Sequence, residues 1–391
     1  MTGPSISQFL IACAFPQLSA RSREQILLYL RTNPKYEVVL EKLMEEGLVG
    51  LAYHHLKSLF PEVPPILLES LKTKTLVLAA RQEKIMKQVS VLAAKLAQKN
   101  WRWAVVKGLS LTLRFYPESY WRFFYDVDLI VHPDDSRELA QFLLQNKFSS
   151  EARPSLQKGE GDLLDREKFW LYRPLYTQDE LILEIHLGFP WLHSTPKSEV
   201  DFWNSRGTFT LNNHPLPCLS PEYELALLAL HLQQHSYSRL IWLTDIVQLI
   251  QSQQIDWLKL EELAEREHIK ASLGYTFLVL DHLWPGSIFW AEKHRFSLKK
   301  RETLWLRLFF PLEPILNRKN IQDSPAHTPT FLKLLHQHKV RTWLKALKDF
   351  FFPPPHWVAH YYGLKPWSFK FFKHYLWRLS RPFSLIIKRL R

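Results

Sequence analysis

Two carboxylates separated by one apolar residue, Asp126-Val127-Asp128, open the apolar run Leu129-Ile130-Val131, and no other stretch restricts the chain so tightly. On a strand, side chains at i and i+2 share a face, and a rise of about 3.3 Å per residue sets them roughly 6.6 Å apart at the backbone. Ionised together without a cation they repel, since two unit charges at about 4 Å interact by roughly 4 kcal/mol at an effective dielectric near 20. A pair of divalent cations removes that conflict, and two-metal sites with ions about 3.5–4 Å apart recur where phosphoryl groups are transferred. Upstream, Ala104-Val105-Val106 reads as a short buried strand, Lys107-Gly108 as a turn, and Leu109 to Tyr116 as a helix. A helix that starts on such a turn offers N–H groups and a positive dipole end to phosphate, and the glycine allows close approach of a ligand to the backbone.

A third acid lies downstream. In Leu181-Ile182-Leu183-Glu184-Ile185-His186-Leu187, alternation places Glu184 and His186 on one face of a strand. A carboxylate on a buried strand costs several kcal/mol unless it is paired or metal-bound; a strand with one solvated face carries it without cost, and both readings stay open here. Phe169 to Leu175 reads as the partner strand, joined through Thr177-Gln178-Asp179-Glu180, with an exposed loop over 149–162 before it.

Lys107-Gly108, Tyr116, Arg122, Asp126-x-Asp128 and Glu184-Ile185-His186 together resemble a bacterial nucleotidyltransferase family of mostly uncharacterised function, within the polymerase-beta-like nucleotidyltransferase superfamily. The resemblance extends to His231 through Asp245 and to Phe352-Pro353-Pro354-Pro355, most of the chain. It implies that Asp126, Asp128 and Glu184 are catalytic carboxylates holding Mg2+, two ions, and that the glycine turn lies against nucleotide phosphates, with Lys107, Gly108, Ser110 and Arg122 as nucleotide-binding residues. Lys107 and Arg122 either contact phosphate or pair with the acids. His186 stands beside the metal rather than on it, because magnesium prefers oxygen. His231, His235, Arg239 and Asp245, with Trp242, either line the substrate side of the cleft or tie a helical domain to the sheet. The chain departs from the superfamily pattern in two places: Leu109 follows the turn glycine, so that a hydroxyl comes one residue late at Ser110, and Glu184 stands where aspartate is usual. The implied activity is magnesium-dependent transfer of a nucleoside monophosphate from a nucleoside triphosphate to a small-molecule, protein or nucleic-acid acceptor. A catalytically degenerate protein of the same fold that binds nucleotide or a partner is the alternative.

The rest of the chain reads as helical, so the expected fold class is α+β: a small mixed sheet flanked by helices, with an N-terminal helical region at 1–100, a catalytic core at 101–219, a larger helical domain at 220–352 and a basic aromatic segment at 353–391. Its 391 residues, 46% of them hydrophobic with 15 Trp and 25 Phe, suffice for a core and at least one further domain. Ser22 with Gln25 suggests a capping box, 36–59 one helix, 66–99 another, and Ser220-Pro221 a further start. His54-His55 is expected at a helix surface, and His231 with His235 lacks the third ligand a zinc site needs. Cys13 and Cys218, far apart, suit a reducing cytoplasm. Phe9 to Cys13 superficially resembles a lipoprotein box but lacks preceding basic residues, so an amphipathic first helix is expected. No run of about 18 apolar residues suggests a membrane span. The net charge of +13 points to phosphate-bearing partners or an anionic membrane surface. Trp367 to Arg391, where aromatic residues alternate with cations, is either a packed terminal helix or a peripheral contact for such a membrane.

Overall fold

The computed structural model describes residues 4–151, 175–188, 196–252, 255–285 and 293–317, together with 344, 364, 365, 367–374 and 376. The expected helix at 328–352, the proline run at 353–355, most of the expected strand before Leu175 and most of the basic terminal segment lie outside the described residues. No helix among the described residues is long and apolar enough to cross a membrane.

Five helices come first: α1 (Ile6–Ala14), α2 (Ala20–Leu30), α3 (Tyr36–Glu45), α4 (Val49–Ser58) and α5 (Pro65–Leu96). The cap of α2 is Ser19, whose Oγ accepts the Ser22 N–H at 3.0 Å, so Ser22 sits inside the first turn. The stretch expected as one helix over 36–59 is two, because Gly47 takes φ +75° and ends α3 with paired bonds from Gly47 N to Met44 O and from Leu48 N to Leu43 O. That corner projects Glu46 toward the middle of the molecule. The His54-His55 pair is also corrected: α4 is covered on both sides, so His55 is buried with Nε2 2.9 Å from Phe15 O, and burial lowers its pKa to about 4. His54 packs on Trp121 at a ring separation of 4.1 Å.

The sheet follows. It contains β1 (Trp103–Val106), β2 (Val127–Val131), β3 (Ser149–Glu151), β4 (Leu175–Gln178), β5 (Leu181–Leu187), β6 (Gly207–Leu211) and β7 (His214–Cys218), interleaved with α6 (Gly108–Phe115), α7 (Ser136–Gln145) and α8 (Pro196–Asn204). Spatial order is β3-β4-β5-β2-β1-β7-β6, with β1 antiparallel to β2 and parallel to β7, and β2 parallel to β5. The fold is α+β, built on a mixed seven-stranded sheet. The hairpin β6–β7 is absent from the sequence reading, because Pro215 and Pro217 argue against a strand. Its signal was Asn212-Asn213, which both take positive φ in the tight turn. Between β4 and β5 the turn is Asp179-Glu180, with Thr177 and Gln178 still in β4.

Alternation sorts the strands into two faces. Trp103, Val105, Val127, Leu129, Val131, Leu183 and Ile185 pack with Ile85, Val89 and Leu92 of α5 and with Leu139 and Leu143 of α7. Ala104, Val106 and Ile130 face the other way, into a core shared by the first helices and by α9 (Pro221–Gln234), α10 (Leu240–Ser252), α11 (Trp257–Arg266) and α12 (Lys270–Leu283). The helical regions expected before and after the sheet thus bury their apolar stripes against each other. Two further helices, α13 (Lys300–Phe309) and α14 (Leu312–Asn317), follow.

The contact between the two helical sets is polar as well as apolar. Glu46 Oε2 accepts the Leu240 N–H at 2.7 Å, and Glu46 O accepts the Ile241 N–H at 3.2 Å. A carboxylate there satisfies N–H groups that the helix cannot and meets the positive dipole end. Glu46→Ala should therefore lower stability by about 1 kcal/mol, read as a shift of the urea midpoint at unchanged slope; an unchanged midpoint would show that the cap is not needed.

Candidate active site

The parity that sends Val127, Leu129, Leu183 and Ile185 toward α5 sends Asp128, Glu184 and His186 to the opposite face. Because β2 and β5 are parallel neighbours, Asp128 lies in register with Glu184 and Ile130 with His186, while Val106 at the end of β1 pairs with Asp128. Asp126 stands in the bend just before β2, one residue short of the strand that the sequence suggested would hold it. The face opens on a cleft of about 310 Å3 between the sheet and the helices. Lys107, Gly108, Arg122, Asp126, Asp128 and Glu184 line it on the sheet side; His231, His235, Arg239, Trp242 and Asp245 line the helical side. Among the residues singled out from sequence, Tyr116, Ser110 and His186 do not line it.

Ser110 is fully buried, and its hydroxyl receives Arg114 Nη1 at 3.1 Å, because one turn into α6 the side chain points into the protein rather than toward the cleft. That placement removes it as a phosphate contact. His186 lies behind Asp128, with Nε2 2.7 Å from Asp128 Oδ1. Burial, reinforced by Lys107, lowers the His186 pKa, and because an ionised carboxylate only accepts, the ring N–H is the donor in this bond. Lys107 Nζ reaches the same oxygen at 2.7 Å. Although burial opposes ionisation, the ammonium of Lys107 and the His186 N–H hold Asp128 well below the usual carboxylate range. Asp126 behaves oppositely: burial, with Asp128 and Glu184 close by, pushes its carboxyl up to about 6.

Lys107 has φ +54° and ψ −132°, a region that non-glycine residues rarely enter. Its N–H donates to Glu224 Oε1 at 3.1 Å, and Glu224 Oε2 accepts Arg114 Nη1 at 3.2 Å. The next residue must be small for a packing reason, since a Cβ on Gly108 would lie 2.8 Å from that of Phe124. Arg122, open from sequence between phosphate and an acid, is held by Asp245 through Nε at 3.1 Å and Nη2 at 3.0 Å, and Tyr116 donates to the same Asp245 at 2.7 Å. Burial works against its charge, yet Asp245 leaves its pKa raised. On the far wall the rings of His231, His235 and Trp242 pack at 4.6–5.1 Å, and Arg239 lies 5.7 Å above the indole.

Arg114 and Glu224 were missed as site residues. The signal for Glu224 lies in its helix: Glu222 through Leu230 is buried at every position, and a carboxylate held inside such a stretch signals a partner. Burial pushes Glu224 up to about 7 in spite of Arg114 and the Lys107 N–H.

One ligand atom each from Asp128, Glu184 and His186 lies within 4.8 Å of the others. With Asp126 beside them, its carboxyl raised by burial and then by Asp128 and Glu184, these donors fit a hard divalent cation offered mainly oxygen. A family profile described as uncharacterised nucleotidyltransferase matches residues 34–285, which takes in every residue of this cleft. The crystal structure of an antigenic nucleotidyltransferase-like protein from Paracoccidioides brasiliensis matches with 22% identity over 52% of this chain and 89% of that one, at a TM-score of 0.37. No curated protein matches.

The raised Asp126 carboxyl sets a pH dependence. Between its ordinary 3.8 and about 6 the folded protein keeps a proton that the unfolded chain has released, so stability present below about 4 is lost as pH rises through 6. Asp126→Asn should flatten that part of the stability profile in chelator-treated protein and leave the variant about 1 kcal/mol more stable at pH 7. Urea melts at pH 4 to 8 measure it, and parallel profiles for the two proteins would contradict the assignment.

Proposed function

Because the chain belongs to the family of uncharacterised nucleotidyltransferases, we propose that it is a magnesium-dependent nucleotidyltransferase of the polymerase-beta-like kind, which moves a nucleoside monophosphate from a nucleoside triphosphate to an acceptor. The observation that carries this reading is the register of Asp128 with Glu184 across two parallel strands, Asp126 beside them, at the foot of a cleft that also holds the Lys107-Gly108 turn. Asp126, Asp128 and Glu184 are the residues that would hold magnesium. Bound there, the metal would supply charge neutralisation on the triphosphate during displacement of pyrophosphate.

The protein's own residues do the positioning. Asp128 is kept ionised at neutral pH by Lys107 and by the His186 N–H, so one metal ligand is ready without a proton to lose. His186 stays behind it as an orienting group. Lys107 projects from a turn whose geometry is set by Glu224, which places a cation at the edge of the acids where an incoming phosphate would meet it. Arg122 is anchored on Asp245, so its contribution is a fixed positive wall rather than a mobile clamp. The acceptor side of the cleft is His231, His235, Trp242 and Arg239, a surface of imidazole, indole and guanidinium suited to a flat or anionic group.

Purified protein incubated with labelled nucleoside triphosphates, magnesium and cell extract should label an acceptor and release pyrophosphate. Asp128→Asn and Asp126→Asn should each reduce label transfer by at least about 100-fold with the fold retained by circular dichroism. Transfer that survives both substitutions would overturn the reading, and magnesium-dependent nucleotide binding with no transfer to any acceptor would identify a binding protein of the same fold.

A further inference from the structure

Lys107 and a divalent cation need the same carboxylate. Asp128 Oδ1 already receives Lys107 Nζ and His186 Nε2, both at 2.7 Å, and Asp128 belongs to the cluster of ligand atoms that lie within 4.8 Å of one another. A divalent ion at that cluster and an ammonium on the same oxygen would repel each other strongly in a half-enclosed site. The other cleft-lining cations are engaged elsewhere: Arg122 is forked onto Asp245, and Arg239 Nε donates to Glu45 O at 2.8 Å. Among the described residues that line the cleft, Lys107 is thus the cation paired with a carboxylate that a metal would require.

The backbone beneath Lys107 suits an exchange of partners. Its φ of +54° with ψ −132° is strained for a lysine, and the Glu224 carboxylate holds the peptide there through the N–H. The peptide is held while the side chain, a four-carbon stem of rotatable bonds, already lines the cleft. Resting on Asp128, the ammonium neutralises a buried charge that would otherwise be unpaired.

We propose that Lys107 is the resident cation of the site, holding Asp128 until a divalent metal takes that carboxylate, and is then transferred to the phosphates of the nucleotide. The metal half of this exchange stands on the site alone; the phosphate half rests on the nucleotidyltransferase reading. Lys107 is then a positioning residue in the metal-free protein and a phosphate contact in the loaded one.

Residue-resolved reductive methylation, followed by mass spectrometry on the full-length wild-type protein, tests it without any variant. Labelling of Lys107 should be slow in chelator, rise at least fivefold in saturating Mn2+, and fall again when a non-hydrolysable nucleoside triphosphate analogue is added, while exposed Lys57 stays constant as the reference. In a second measurement, Mn2+ titration followed by electron paramagnetic resonance should show Lys107→Met binding the ion at least tenfold more tightly than wild type. A Lys107 labelling rate indifferent to Mn2+, or a folded Lys107→Met that binds Mn2+ no more tightly, overturns the exchange. If Mn2+ then still binds wild type and is lost in Asp128→Asn, the exchange alone fails and the nucleotidyltransferase reading stands; Mn2+ binding by neither wild type nor Lys107→Met overturns both. Labelling that rises with Mn2+ but does not fall with the analogue overturns the transfer to phosphate.

Discussion

The molecule must hold three carboxylates in or against its interior around one cleft, and most of what surrounds them answers to that requirement. Asp128, Glu224 and Asp245 are buried, and each has a cation: Lys107, Arg114 and Arg122 respectively. Buried ion pairs of this kind add little net stability compared with apolar residues of the same shape, because desolvation offsets attraction. Removing one partner is another matter and typically costs about 3–5 kcal/mol, since the remaining charge stays buried. The pairs therefore act as position markers more than as adhesive: each admits one arrangement of the elements that carry it.

Those arrangements connect. Glu224 accepts from the Lys107 backbone and from Arg114, so α9 grips both the turn at the start of α6 and the last turn of that helix. Asp245 accepts from Tyr116 just beyond α6 and from Arg122 on the way to β2, so α10 grips the same segment from its far end. Glu46, in turn, caps α10 from the corner between α3 and α4. A chain of polar contacts thus runs from the N-terminal helices through the helical wall of the cleft to the turn beside Asp128. Rigid support of this kind is what a site needs if ligands are to be met by groups already in place.

Much of the local structure is legible in the sequence. The Val105-Val106 strand, the turn at Lys107-Gly108, α6, β2, the pairing of Glu184 with His186 on one strand face and the start of α9 at Pro221 all follow from periodicity and turn chemistry, which act over a few residues. Expectation and structure part where a distant segment overrides a local preference and, at Gly47, where a local turn outweighs the hydrophobic spacing. Pro215 and Pro217 disguise a strand that nonetheless joins the sheet beside β1; Gly47 ends a helix that hydrophobic spacing alone would continue; His55 is buried because α1 brings Phe15 over it. Ser110 looked like a phosphate ligand until the helix that carries it turned its hydroxyl toward Arg114.

What the amino-acid order determined by itself is the set of chemical parts: two acids spaced by one residue, a third acid two residues from a histidine, a lysine-glycine turn, and a cationic and aromatic group more than a hundred residues beyond Asp126. Which of them meet was decided only in the folded chain. Asp128 lies in register with Glu184 because β5 adds in parallel to β2, and Lys107 rests on Asp128 because β1 ends opposite it. Arg122 faces Asp245 rather than the acids because α10 packs against α6. The physical reason is common to all three. A side chain's face follows from its near neighbours, whereas its partner depends on strand register and helix packing, which are set by the burial of the whole core at once.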